Sequence, residues 1–148
     1  MALSGEASSE IDAPIEQVWP LIEDISTIVE WQGGVQSIEI LERDGEGRPV
    51  LCEIVSDAKV KSIKTRVRFT HEPPHRLSWV QEKGDVKALT GFWGLDDLGG
   101  GRTRATYAVE VDPGRVLGML VKGPVEGLVR SILVGARPDE LKRLAEGA

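Results

Sequence analysis

The sequence contains one cysteine, Cys52, and two histidines, His71 and His75, in 148 residues. A lone thiol cannot close an intrachain disulfide, and its neighbours Val50, Leu51 and Ile54 make a buried core thiol the expectation. The histidines flank Pro73-Pro74 with only Glu72 between them and no HExxH or CxxC spacing nearby, so they read as exposed turn residues. Neither a metal nor a cofactor is expected. Long apolar runs are also missing: nothing approaches the ~20 residues of a membrane-spanning helix. Met1 to Gly5 is too short for a secretory signal, so the cytoplasm is the expected location, without stable membrane insertion. Positive charge is not in excess either. A formal charge of −6 argues against a nucleic-acid partner held by a phosphate-neutralising surface.

What is present is ordinary globular material, 41% hydrophobic and 28% charged. Area scaling puts roughly two thirds of the unfolded chain's surface out of water at this length, enough for a core without metal or disulfide. Residues 1–148 read as a single domain, with 1–5 as a disordered N-terminus. Residues 7 to 12 alternate weakly as a first strand and end before Pro14, which suits the first turn of a helix. Ile15, Val18, Trp19, Ile22 and Ile25 then recur at the spacing of one buried helical face. Pro20 lies within that helix and predicts a kink. Thr27 and Glu30 have capping-box spacing and predict a second short helix ending near Trp31, before Gly33 and Gly34.

Residues 35 to 112 change period. Alternating segments are separated by turn clusters at Asp44 to Gly47, Ser56 to Ala58, Glu72 to His75, Lys83 to Asp85 and Leu98 to Arg102. Six strands joined this tightly are antiparallel neighbours, since a parallel connection needs a crossover of a dozen or more residues. In the third of these strands Ile63, Thr65, Val67 and Phe69 share one face and Lys64, Arg66 and Arg68 the other; Lys59 and Lys61 are out of phase, which a bulge near Lys61 to Ile63 would repair. After Pro113 the helical period returns through Leu117, Leu120, Val121, Val125, Leu128, Val129, Ile132 and Leu133 to Leu141 and Leu144, with Pro124 in the first turn of the main body. Pro138 should bend or interrupt this helix before Asp139. The order is α+β: a seven-stranded antiparallel sheet curved around a long C-terminal helix, with two short helices between strands one and two.

By parity, one sheet face carries Ile63, Val67, Phe69, Leu77, Trp79, Leu89, Trp93, Leu95, Tyr107, Val109 and Val111, with almost no charge. The segments IDAPIEQVWPLIEDI, VEWQGGVQSIEILERDGEG and PPHRLSWVQEKGDVKALTGFWGLDDLGGGRTRATY, with the terminal helix, resemble the polyketide cyclase/dehydrase family of the START-like (SRPBCC) superfamily. The resemblance spans residues 7 to 147. Ala13-Pro14 before Val18-Trp19, Glu30-Trp31 before the glycine pair, Arg76-Leu77-Ser78-Trp79, and Gly91 with Trp93 carry it. It implies a helix-grip fold with a hydrophobic cavity between sheet and terminal helix. Cyclases, coenzyme Q binding proteins and lipid carriers share these motifs, so the ligand is not implied.

Other chemistry finds little support. Asp96 and Asp97 are adjacent, point to opposite strand faces and read as strand-end charges. Gly99 to Gly101 lacks the following helix and Lys-Ser/Thr pair of a phosphate loop and reads as a hairpin. Lys64, Arg66 and Arg68 read as a solvated face. The aromatics remain as walls for a flat apolar ligand, giving Trp31, Val67, Phe69, Trp79, Leu89, Trp93, Tyr107, Leu128 and Ile132 as candidate ligand-binding residues. Tyr107 is the one candidate catalytic group, a phenol able to hydrogen-bond or protonate a carbonyl, with no helper evident; Glu30 is a second polar group near the mouth. The expected function is non-catalytic binding of a hydrophobic small molecule: a lipid, quinone, isoprenoid or polyketide. The alternative is a polyketide cyclase or dehydratase acting on a poly-β-keto chain by confining it; a structural module with a filled cavity is a third.

Overall fold

The computed structural model describes residues 3–57, 62–112, 114 and 137–147. Strand β1 (Leu3–Ile11) leads into helix α1 (Ile15–Glu23), a 3-10 turn (Ile25–Thr27) and helix α2 (Ile28–Trp31). Six strands follow: β2 (Val35–Arg43), β3 (Pro49–Asp57), β4 (Ser62–Glu72), β5 (Arg76–Gly84), β6 (Ala88–Gly99) and β7 (Arg102–Asp112). The described part of the terminal helix, α3, is Arg137–Gly147. All seven strands form one curved antiparallel sheet in the order β1-β7-β6-β5-β4-β3-β2, so the meander returns β7 to the side of β1. This is the expected helix-grip arrangement.

Local departures from the expectation have physical causes. β1 begins at Leu3, not Ala7, because Leu3 to Gly5 pair with Val111 to Val109; the weak alternation of the segment is overridden by its partner strand. Pro14 is the N-cap of α1 rather than part of its first turn, its carbonyl accepting from the N–H groups of Gln17 and Val18. α1 runs through Pro20, which lies on the exposed side while Ile15, Val18, Trp19 and Ile22 are buried. The capping box does not form. Thr27 Oγ1 donates instead to the Asp24 carbonyl and accepts from Trp31 Nε1, and Glu30 is exposed.

Pairing of β4 with β3 is continuous from Ser62 to Arg68, so the register shift of β4 lies against β5, between Arg66 and Val67, and not at Ser62 or Ile63. Lys59 and Lys61 lie outside the described residues. So does the expected helical run from Leu117 to Leu133, including Pro124, Leu128 and Ile132. Pro138 lies at the described start of α3 and is fully buried. Among the described residues no helix is long and apolar enough to cross a membrane.

Two observations fix the helices to the sheet. The buried hydroxyl of Thr103 donates to the Ala13 carbonyl at 2.8 Å, pinning the β1–α1 corner to β7. α3 lies against β1, burying Leu141 and exchanging polar bonds: Ser9 Oγ donates to Asp139 at 2.5 Å, Lys142 Nζ to the Glu10 carbonyl at 2.8 Å, and the Asp12 N–H to Glu146 at 2.7 Å. The Asp12 N–H, and after it Lys142, hold the Glu146 carboxyl below its ordinary range. A depressed folded pKa gives stability that is present above the unfolded value and lost as pH falls through the folded one. Glu146→Gln should therefore lower the melting temperature at about pH 7, by an amount that shrinks as pH falls through the folded pKa; a loss that does not change with pH would show that charge is irrelevant to this contact. Cys52 is fully buried in β3, and desolvation pushes its thiol up to about 11. Iodoacetamide at about pH 8 should label it in urea but not in the native protein, as mass spectrometry will show.

Candidate functional site

The concave face of the sheet does not close on itself. A cavity of about 120 Å³ remains between β3 to β7, the α1–α2 segment and the start of α3. Strand parity aims Val67 and Phe69 from β4, Leu77 and Trp79 from β5, Leu89 and Trp93 from β6, and Tyr107, Val109 and Val111 from β7 into it. Ile22, Ile25, Ile28 and Trp31 close it from the helical side. Seven of the nine residues expected from the sequence line this space: Trp31, Val67, Phe69, Trp79, Leu89, Trp93 and Tyr107. The other two, Leu128 and Ile132, lie outside the described residues. Glu30 is not among the lining groups.

The aromatic residues form one continuous chain. Phe69 meets Trp79 with ring centroids 5.9 Å apart, Trp79 meets Tyr107 at 5.5 Å, Tyr107 meets the edge of Trp93 at 4.8 Å, and Trp93 meets Trp31 at 6.3 Å. Such tilted and edge contacts are the favoured geometries of aromatic pairs, each adding ~0.5–1.5 kcal/mol to area burial. Gly91 makes the arrangement possible. It pairs with Trp79 across β5 and β6, and a Cβ there would lie 2.7 Å from the indole and 2.7 Å from the Ala108 carbonyl oxygen. A glycine in a strand is costly unless something needs the space; here the indole lies across it.

A charged side chain stands beside Tyr107 in the lining. Arg137, at the described start of α3, is 4% exposed and lines the cavity. Its Nη1 donates to Glu140 Oε1 at 2.7 Å, and Glu140 Oε2 accepts the Gly33 N–H at 2.7 Å. The loop can come this close because Gly33 has no side chain: a Cβ there would already sit 3.0 Å from that oxygen. Burial raises the Tyr107 hydroxyl above its ordinary pKa, against the opposing charge and hydrogen bond of Arg137. Tyr107 is therefore a neutral phenol at physiological pH, a donor and not a base. The one signal for this pair in the sequence is the i, i+3 spacing of Arg137 and Glu140, which by itself reads as a surface pair.

The remaining candidate groups are placed elsewhere. His71 is half-buried, not exposed: the parity it shares with Phe69 turns it inward, its Nε2–H donates to the Pro49 carbonyl at 2.7 Å, and Trp19 packs edge-on at 6.5 Å. His75 is exposed and donates to the Leu95 carbonyl. Among the described residues no group of three or more His, Cys, Asp or Glu is placed to hold a metal ion. On the convex face, Lys64 and Arg66 meet Glu53 at 3.6 and 2.9 Å, and Arg68 bridges Glu42 and Glu82, so the basic row is neutralised across strands. Asp97 caps the Gly99 N–H in the β6–β7 hairpin, where Gly99, Gly100 and Gly101 all have positive φ. Gly91→Ala should displace the Trp79 indole at a cost of ~1–3 kcal/mol, read as a lower urea midpoint and altered tryptophan fluorescence. Wild-type values would mean that the indole does not depend on this gap.

Comparison with known proteins agrees with this architecture. The structure matches a START superfamily protein from Mycobacterium smegmatis with a TM-score of 0.82 at 16% identity, covering 97% of each chain. It matches the Zhui aromatase/cyclase from Streptomyces sp. R1128 with a TM-score of 0.75 at 19% identity, over 99% of this chain and 94% of that one. A protein of Thermus thermophilus matches with a TM-score of 0.75 at 22% identity, over 99% and 95% of the two chains. These likenesses show a shared fold. No curated protein sequence matches the chain. The family model for polyketide cyclase/dehydrase and lipid transport matches residues 2–147, and with sheet, helices and cavity in that arrangement the chain belongs to this family.

Proposed function

We propose that the protein binds a hydrophobic small molecule in the cavity between the sheet and the terminal helix. The observation that carries this reading is the lining: a continuous aromatic and aliphatic wall from Phe69 to Trp31 with, among the described residues, one charged side chain, Arg137. Such a surface gains free energy with almost any flat or aliphatic body, ~25 cal/mol per Å² of apolar area removed from water. The family description, which joins cyclase, dehydrase and lipid transport, supports binding in the cavity as the common element. Native mass spectrometry of freshly purified protein, with extraction of any retained molecule, tests it directly.

A second reading, a cyclase or dehydratase acting on a poly-β-keto chain, is favoured by one observation: Tyr107 and Arg137 line the same cavity, where burial keeps the phenol protonated against the charge of Arg137. In this reading the enol carbon of the chain attacks the ketone carbon, Tyr107 hands its proton to the ketone oxygen, and the phenolate, stabilised by Arg137, takes back the proton that the enol loses. The likeness to the Zhui aromatase/cyclase supports it at the level of fold.

The two readings separate in one set of measurements. Trp79→Ala or Trp93→Ala removes ~200 Å² of wall and should weaken binding of the recovered ligand tenfold or more. Tyr107→Phe keeps the shape and deletes one hydrogen bond of ~0.5–1.5 kcal/mol, so affinity should fall about tenfold at most. Turnover of a poly-β-keto substrate that collapses by ~100-fold in Tyr107→Phe while affinity holds would replace the binding reading with the cyclase.

A further inference from the structure

Glu140, the carboxylate partner of Arg137, is not among the groups that line the cavity. Its second oxygen is turned to the Gly33 N–H, at the loop after α2. The pair is thus oriented, with its positive member toward the cavity and its negative member toward the backbone. A guanidinium has five N–H donors, and the bond to Glu140 uses one of them. Arg137 also acts on the Tyr107 hydroxyl through its charge and a hydrogen bond, and both side chains line the cavity. The other polar lining groups, Gln32, Ser56 and Thr65, are uncharged. Guanidinium and phenol donors therefore converge at one end of an apolar chamber, and no described lining group there is an anion.

This is the reverse of what a purely apolar ligand asks for. Burying an arginine is among the most costly burials in a protein, and a buried ion pair is commonly replaceable by hydrophobic residues without loss of stability. A buried cation at a cavity wall fits a ligand that brings an anionic oxygen to it. A planar monoanion fits best: it matches the guanidinium fork, whereas a dianion would put two negative charges beside a guanidinium already paired with Glu140.

We propose that the ligand is an apolar molecule carrying a carboxylate, and that Arg137, with Tyr107, selects the acid over neutral molecules of the same shape. The proposal rests on the cavity being the binding site, and it adds the substrate class: an aromatic or aliphatic carboxylic acid. The apolar body lies against Trp79 and Trp93, and the carboxylate accepts from Arg137 and from the Tyr107 hydroxyl. Arg137 then bridges two carboxylates, that of Glu140 toward the loop and that of the ligand toward the cavity.

Calorimetric titration of the whole protein at neutral pH with matched probes tests this. One pair is benzoate and the methyl ketone acetophenone; the other is hexanoate and hexanol. Wild-type protein should bind the acid of at least one pair tenfold or more tighter than its neutral counterpart. Arg137→Gln should abolish that preference while leaving the neutral probe within about threefold of wild type. Arg137→Lys keeps the charge without the fork, and an intermediate preference is expected if the glutamine variant does not fold. Equal or tighter binding of both neutral probes by wild type overturns acid selection and leaves the cavity reading standing. A preference that survives Arg137→Gln overturns the role of Arg137. Failure of all four probes to bind removes the cavity reading and this proposal with it.

Discussion

Glu140 joins two parts of the chain separated by more than a hundred positions: it accepts the Gly33 N–H with one oxygen and the Arg137 guanidinium with the other, each at 2.7 Å. The contacts that follow from it form a closed circuit. Arg137 bonds Tyr107; Tyr107 packs on Trp93; Trp93 packs on Trp31; and Trp31 returns through Gln32 to Gly33. The circuit passes through β7, β6, α2, the following loop and α3, so it ties sheet and helices together around the cavity without filling it. Members of such a network depend on one another's placement, and losing one costs more than its own pairwise contact. Two missing side chains permit it. Gly33 lets the loop backbone reach a carboxylate, and Gly91 lets an indole lie across a strand.

The convex face shows the opposite use of charge. Lys64, Arg66 and Arg68 stand in a row that resembles an anion site until the neighbouring strands are added, and those strands bring Glu53, Glu42 and Glu82 opposite them. Exposed pairs of this kind contribute little to stability, ~0–1 kcal/mol each. Their consequence is for recognition, because they leave no excess of positive potential on that face. Arg76 is likewise engaged, its guanidinium 3.9 Å from the centre of the Phe92 ring. On the concave side, by contrast, Arg137 lines the cavity while its described carboxylate partner, Glu140, does not.

The meander was legible because its signals are local. Turn residues mark each reversal, and a period of two assigns Val67, Trp79, Trp93 and Tyr107 to one face before any partner strand is known. The same parity turns His71 inward, which its nearness to Pro73-Pro74 obscured. What sequence could not expose is chemistry made by distant pairs. Arg137 and Glu140 look like an ordinary helical pair until Gly33 is placed against them, and nothing in Gly33-Gly34 says that its N–H needs a carboxylate. Thr27 and Glu30 failed for a related reason: the capping spacing is present, but Thr27 finds a closer acceptor in the Asp24 carbonyl and a donor in Trp31. At β1 the partner strand was the missing term, because pairing with Val109 to Val111 orders residues whose own propensity is weak.

The size of the cavity limits how the site can work. About 120 Å³ is less than the ~300–1,000 Å³ of a pocket that encloses a drug-sized molecule. A small ring fits as the structure stands, while a polycycle or long chain needs the walls to move. The walls are not equally movable. Trp93 and Tyr107 are nearly fully buried on central strands, bonded on both sides by β6, β7 and their neighbours, so shifting them disrupts the sheet. Trp31 is only partly buried, sits on a helix of four residues, meets Trp93 at the longest spacing in the aromatic chain, and holds Thr27 through a long 3.3 Å bond. Separating Trp31 from Trp93 therefore costs one aromatic contact, ~0.5–1.5 kcal/mol, against a ladder of backbone bonds for the strand residues. Among the described aromatic residues the wall is held least firmly at its α2 end, beside the Gly33–Glu140 bond.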